Sequence, residues 1–271
     1  MLSVANNFKM PDTYWEIMEP LIPIKVKAST RGRKPLELRK VADGIFYVFR
    51  TGCQWKAVPH CFGSGSSIHK YFQEWVDVGV FKNLWVEGLI DYDEENGIQW
   101  KWRSIDASSV KAPLGGDQTG PNPTDRAKSG TKRSIIVDGN GIPLSLTTSC
   151  ANTHDSKLIE ENIEKIILKK HGSYVFPDYL LGDKAYDSEK IRKFIRKSGL
   201  IPKIKRRREE IEDKKKNPNK KSRRWVVERT FSWFNKFRKL LIRWEKQSKN
   251  YEGILHFVCA FICFKASGIL K

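Results

Sequence analysis

Three acidic side chains stand where acids need a reason. Asp106 interrupts the run WRSIDASSV, Asp183 closes LLGD in DYLLGDKAY, and Glu228 sits alone in KKSRRWVVERTFSWFNKFRKL. Carboxylates brought to one point repel unless a cation or a shared proton intervenes. As hard oxygen ligands they suit Mg2+ or Mn2+. Two such ions about 3.5–4 Å apart can activate an attacking oxygen and stabilise a leaving one at a phosphodiester. Each acid also has a plainer use. Asp183 can end a strand at a turn, and Glu228 can pair with Arg224 in the less favourable i−4 orientation, worth about 0.2–0.5 kcal/mol. An aspartate inside a strand has no such everyday use, so Asp106 is the most informative of the three.

The elements that must position them follow from residue 99 onward. WRSIDASSV reads as a strand. KRSIIV and IPLSLTTS read as strands joined by DGNG, a hairpin signal that makes Asp138 a turn residue. Asp155 or Ser156 is expected to cap an amphipathic helix with Leu158, Ile159, Ile163, Ile166 and Ile167 inward. A short strand in DYLLGDKAY, a helix in DSEKIRKFIRKSG with Asp187 as N-cap candidate, a strand in LIPKIK and a last helix carrying Glu228 complete the order. A three-strand meander followed by alternating helices and strands predicts a mixed sheet with helices on its faces, the order of a ribonuclease-H-like fold. In that fold the first and fourth strands adjoin and the last helix crosses their ends, so Asp106, Asp183 and Glu228 converge. His154 is the one histidine near this point, more simply a residue beside a helix cap.

The first 97 residues read as helical. TYWE at Thr13–Glu16 has capping-box spacing, and Pro35 in RGRKP suits the first turn of a helix. Leu38, Val41, Ala42, Ile45, Phe46 and Phe49 then recur at helical spacing up to Gly52. In SSIHKYFQEW, Ile68, Tyr71, Phe72 and Trp75 form an apolar stripe. The pair resembles a helix-turn-helix module, and a small bundle without DNA contact fits the pattern equally. DYDEENG (Asp91–Gly97) is the expected link, giving a helical domain over 1–97 and a ribonuclease-H-like domain over 98–271.

The partner is suggested by charge. Fifty Lys and Arg against 31 Asp and Glu give +19 over 271 residues, an imbalance that points to nucleic acid or an anionic membrane. A membrane span is not expected: the longest apolar run, ILHFVCAFICF, falls well short of about 20 residues and reads as a buried helix. No secretion signal is read at the N-terminus, and five cysteines without CxxC pairing fit a reducing cytoplasm. Lys214–Lys249 holds 14 Lys and Arg and two acids, which exceeds what solubility requires. Expected DNA contacts are Arg31, Arg33 and Lys34 in the basic entry, His69 and Lys70 on the second helix, and Lys132 and Arg133 in the hairpin. In the basic strip they are Arg223, Arg224, Arg229, Asn235, Lys236, Arg238 and Lys239. Trp225, Trp233 and Trp244 are interleaved with the strip, where exposed aromatics can stack on unpaired bases. The loop LGGDQTGPNPTDRAKSGTKR, with Asp117 and Asp125, is expected to lie over the acids.

Several long motifs resemble one family. RGRKPLELRKVADGIFYVFRTGCQWKAVP resembles the N-terminal domain of bacterial insertion-sequence transposases of the IS-four/IS-five type. SIDASSVKAP, GPNPTDRAKSGTKRSIIVDGNGIPLSL, LLGDKAYDS and VVERTFSWFNKFRKL resemble their catalytic half. The resemblance implies a DDE transposase with Asp106, Asp183 and Glu228 as ligands of two Mg2+ or Mn2+ ions. Around the glutamate, Arg224 matches the family signature, whereas Lys221 stands in place of its tyrosine and Asn235 in place of its lysine. The implied activity is cleavage at terminal inverted repeats and transfer of the 3′-OH ends to target DNA by a dimer or larger synaptic assembly, in the cytoplasm on the nucleoid. A metal-dependent nuclease without strand transfer and a non-catalytic DNA-binding regulator are the alternatives.

Overall fold

A computed structural model describes residues 8–23, 34–168, 178–204 and 225–270. Four helices come first: α1 (Asp12–Met18), α2 (Leu38–Thr51), α3 (Gly65–Asp77) and α4 (Val80–Asn96). The apolar stripe on α2 is buried as its spacing predicts, and Gly52 ends the helix in the left-handed conformation at φ 73°. Ile68, Phe72 and Trp75 of α3 are buried likewise, and Ser64 caps α3 by accepting from the Ser67 N–H at 3.3 Å.

Three local expectations shift. The first helix begins after Pro11 rather than at a Thr13 capping box, with no side-chain cap. Pro35 precedes α2, whose N-cap is Glu37. The acidic run Asp91–Asn96 is the last turn and a half of α4, because its buried member, Tyr92, reaches the hairpin acid Asp138 at 3.3 Å. The connection from α2 to α3 also carries 3-10 turns at Trp55–Ala57 and His60–Phe62, longer than the three or four residues of a tight helix-turn-helix.

The sheet follows: β1 (Trp102–Lys111), β2 (Gly120–Pro121), β3 (Ser129–Val137), β4 (Pro143–Cys150), β5 (Tyr179–Gly182) and β6 (Ile201–Ile204). Its path is β2-β3-β1-β5-β6, with β4 on β3 beside β2. β1, β3 and β4 are antiparallel neighbours, and β1, β5 and β6 are parallel. This is the mixed ribonuclease-H-like sheet expected, with the DGNG turn joining β3 to β4. Asp138, buried in that turn, accepts from the N–H groups of Asn140 (2.9 Å), Ile142 (2.8 Å) and Gln99 (3.1 Å).

Four helices accompany the strands: α5 (Ile159–Glu164), α6 (Glu189–Lys197), α7 (Trp225–Phe234) and α8 (Ser248–Ala266). α5 is shorter than its apolar pattern and leaves Ile166 and Ile167 beyond its end; a 3-10 turn at Asp155–Lys157 precedes it, capped by the His154 imidazole. Ser188, not Asp187, caps α6, and Asp187 instead pairs with Arg192. α8 is apolar on every side and accordingly buried, packed along α4. Phe257 shows how: its ring meets Tyr14, Phe49 and Phe81 at 5.1–5.7 Å, so α8 completes the core of the helices before residue 97. Among the described residues, no helix is long and apolar enough to cross a membrane.

Candidate active site

β1 and β5 run side by side in parallel, Trp102 opposite Tyr179, Arg103 opposite Leu180 and Ser104 opposite Leu181. The pairing ends at Ser104 and Leu181; Asp106 lies two residues further along β1, and Asp183 directly follows the last residue of β5, where the chain enters a turn. Directly paired residues of a pleated ladder share a face, so Asp106 leaves β1 on the side of Ile135. Asp106 is half-buried and accepts from the Ala107 N–H at 2.9 Å. Asp183 caps the 3-10 turn Lys184–Tyr186 through the Lys184 N–H.

α7 lies over this face. Across the β1–β3 ladder Asp106 pairs with Ile135, and Arg133 shares the side of Ile135. Arg133 stacks at 5.5 Å against both Phe231 and Phe234 of α7. The helix is seated by buried Val226, Val227, Thr230, Phe231 and Phe234, with Thr230 Oγ1 2.6 Å from the Gly141 carbonyl. Arg229 donates to the Asn140 carbonyl while its guanidinium lies 4.6 and 4.9 Å from the rings of Trp225 and Trp233. Glu228 is exposed beside the buried stripe. Among the described residues no three His, Cys, Asp or Glu side chains are grouped to hold a metal ion. Asp106 thus lies within β1, Asp183 just past the end of its parallel neighbour β5, and Glu228 on α7, without closing a three-acid cluster. All three donors are carboxylate oxygens, the set that suits Mg2+ or Mn2+.

The cations expected at DNA divide by burial. Lys34, Lys70, Asn235, Lys236 and Arg238 are exposed, and Arg229 is partly so. Arg31, Arg33, Arg223 and Arg224 lie outside the described residues. Arg133 is buried, bonded to the Leu240 carbonyl and packed on two phenylalanines, so no phosphate reaches it. Lys239 is buried against Glu245 at 3.2 Å. Lys132 is held by Asp155 and the Thr153 carbonyl, both at 2.5 Å. His69 stacks on Trp55 at 4.7 Å, its Nε2 enclosed without a partner, and burial lowers its pKa. Arg133 and Lys239 are thus buried and Lys132 and His69 half-buried, each engaged with partners distant in sequence.

One organising residue carried no sequence signal. Arg243 is buried and donates to the carbonyls of Glu245 (2.8 Å) and Lys246 (3.1 Å) and to Thr131 Oγ1 (2.6 Å). It pins the segment after α7 to β3 and to the loop around Gln118, whose carbonyl it approaches at 3.4 Å.

The mixed sheet order, with β1 between antiparallel β3 and parallel β5, is that of a ribonuclease-H-like domain. Residues 102–263 match the family described as "Transposase DDE domain", and residues 10–85 match "Putative transposase of IS4/5 family". The chain belongs to the DDE transposases, enzymes that act on DNA. It is 37% identical over 154 residues to a putative transposase for insertion sequence element IS402 from Burkholderia cepacia, covering 55% of this chain and 70% of that protein. It is 28% identical over 116 residues to an uncharacterized 16.2 kDa protein of the same element, covering 41% and 79%. The solved catalytic domain of Mos1 mariner transposase covers 69% of this chain and 92% of its own, at 10% identity and TM-score 0.30, an overlap too slight to carry argument.

Proposed function

We propose that this transposase cuts DNA at the terminal inverted repeats of an insertion sequence and transfers the freed 3′-OH ends to target DNA. Asp106, Asp183 and Glu228 are its metal ligands, holding two Mg2+ or Mn2+ ions. The observation that supports the reading is the placement of Asp106 on β1 and of Asp183 directly after β5, the parallel neighbour of β1, within a domain of the DDE family. Bound there, the ions supply Lewis-acid stabilisation of the attacking and leaving oxygens. The protein's part is to fix two carboxylates on a rigid sheet and to bring Glu228 over them on α7.

Duplex DNA is then held by exposed cations, Lys34 and Lys70 from the helical part and Arg229, Lys236 and Arg238 from the strip, with Asn235 beside them. Such contacts orient a backbone without reading its sequence. Arg31, Arg33, Arg223 and Arg224 belong to the same proposed set on sequence grounds. Joining two ends requires two copies or more, so a dimer or larger synaptic complex on the nucleoid is the working form, and the domain boundary proposed is near residue 97.

The test uses DNA carrying the inverted repeats that flank the reading frame. Asp106→Asn is expected to abolish strand cleavage with Mg2+ while DNA affinity persists; cleavage at the wild-type rate overturns the ligand assignment. Precut ends with Mn2+ should be joined to target DNA. Cutting without joining identifies a nuclease instead.

A further inference from the structure

Two chain segments run side by side beyond the C-terminal end of β1. Lys111 bridges Ile242 in parallel, and its carbonyl accepts from the Arg243 N–H at 2.8 Å. Further along, the Asp117 N–H donates to the Lys246 carbonyl at 2.9 Å. Gly116 permits this approach, because a Cβ there would stand 2.1 Å from the Lys246 carbonyl oxygen. Leu114 and Trp244 thus lie between the same two pins, and both are exposed, at 52% and 43%, with Leu241 at 44% just before them.

The scaffold beneath is rigid. Arg243 points inward and ties this segment to Thr131 and to Gln118, which takes the left-handed conformation at φ 52°. Three large apolar side chains held outward on a pinned support cannot fold away and mark a contact surface. Its charged neighbours select the partner. Lys111 and Lys246, which form the two pins, are exposed beside it; the acids are Asp125, which pairs with Lys111 at 3.5 Å, and Asp117, which accepts from the Ser248 N–H at 3.4 Å. A second copy of a chain carrying +19 is repelled from a basic rim, whereas a nucleic acid is attracted to it.

We propose that Trp244, with Leu114 beside it, is a stacking platform for an unpaired base of the DNA held at the active site. The proposal rests on the DNA-cleaving reading above and extends it to a nucleotide-binding position outside the carboxylates. Aromatic faces accept any base, and a cationic rim holds the flanking phosphates. The pin that anchors the platform, Lys111, lies five residues beyond Asp106 along β1, roughly 16 Å at strand rise. On a duplex-like path that is about five nucleotides from the scissile phosphate.

Full-length protein is titrated with two forms of the same end DNA, fully paired and with bases unpaired about five nucleotides from the cleavage point, 2-aminopurine reporting stacking at that position. Wild type should bind the unpaired form more tightly and quench the fluorophore. Trp244→Ala should lose about tenfold in affinity for that form and the quench with it, change little on paired DNA, and keep the wild-type melting temperature. Trp244→Phe should restore most of the effect. Equal affinity of Trp244→Ala and wild type for the unpaired form overturns the platform, as does a change in oligomeric state with unchanged DNA binding. If wild type binds neither DNA, the reading of the whole protein fails with it; if it binds and cuts but Trp244 is silent, only the platform falls.

Discussion

Lys239 Nζ lies 3.2 Å from Glu245 Oε1 in a site where both side chains are buried, under the ring of Trp55, whose Nε1 donates to the same oxygen at 3.3 Å. A lysine in the most basic part of the sequence is therefore committed to holding the 3-10 turn after α7 against the helical region. Removing one member of such a pair strands the other charge. Lys239→Ala is expected to cost about 3–5 kcal/mol in urea denaturation. Lys239→Met with Glu245→Gln should recover most of it, since Gln still accepts from Trp55. A Lys239→Ala protein as stable as wild type would show that the pair does not form.

Lys236 and Arg238, only a few residues away, are exposed and should behave oppositely. Replacing both by Ala should leave stability within about 0.5 kcal/mol. DNA affinity should fall, and the slope of log affinity against log salt should shrink by about 2 if each neutralises a phosphate. Titration by fluorescence anisotropy at several salt concentrations measures it, and an unchanged slope removes these two residues from the interface.

His256 gives the protein a pH dependence unrelated to catalysis. Its ring stacks on Trp85 at 5.5 Å, and burial, helped by Lys82 and Lys165, pushes its pKa down to about 4. The unfolded chain binds that proton near pH 6.5. Between about 6.5 and 4 the unfolded state therefore holds more protons, and stability declines as pH falls through this window. The ring keeps some solvent contact, which reduces the effect to about 1–3 kcal/mol. His256→Leu should flatten the dependence in melts from pH 7 to 4.5; an identical slope in both proteins excludes His256 as its source.

Gly88 sets how closely α4 and α8 approach. A Cβ there would lie 3.1 Å from Cys263 Cβ and from Phe264 Cε2. Gly88→Leu should cost about 1–3 kcal/mol by forcing the helices apart. Gly88→Ala should cost less, because the helix gains about 1 kcal/mol of propensity. Thermal melts that rank the two variants the other way would mean the interface adapts.

The sequence showed the sheet more clearly than the helices or the cations, for physical reasons. Alternation and the DGNG turn are local signals, and they mark β1, β3 and β4 where the structure has them. Asp91–Asn96 looked like a linker because four of its six residues are acidic, and only the distant Asp138 explains why Tyr92 carries the helix through it. Arg133 and Lys239 looked like DNA ligands because nothing local announces Phe231, Phe234 or Glu245 as their partners. The sequence predicts a helix carrying Glu228, and Trp225–Phe234 is one, but the distance of Glu228 from the aspartates depends on how α7 is seated, which is a tertiary matter.

The packing of α8 along α4 has a consequence for biosynthesis. The ribosome delivers the apolar faces of α2, α3 and α4 early, and the helix that covers them emerges only after the whole sheet has been made. At about 5–20 residues per second the wait is on the order of ten seconds. Throughout it, Phe49 and Phe81 have each other and Phe72 to pack on but lack Phe257, so slower translation is expected to lengthen the time the early helices spend without their cover.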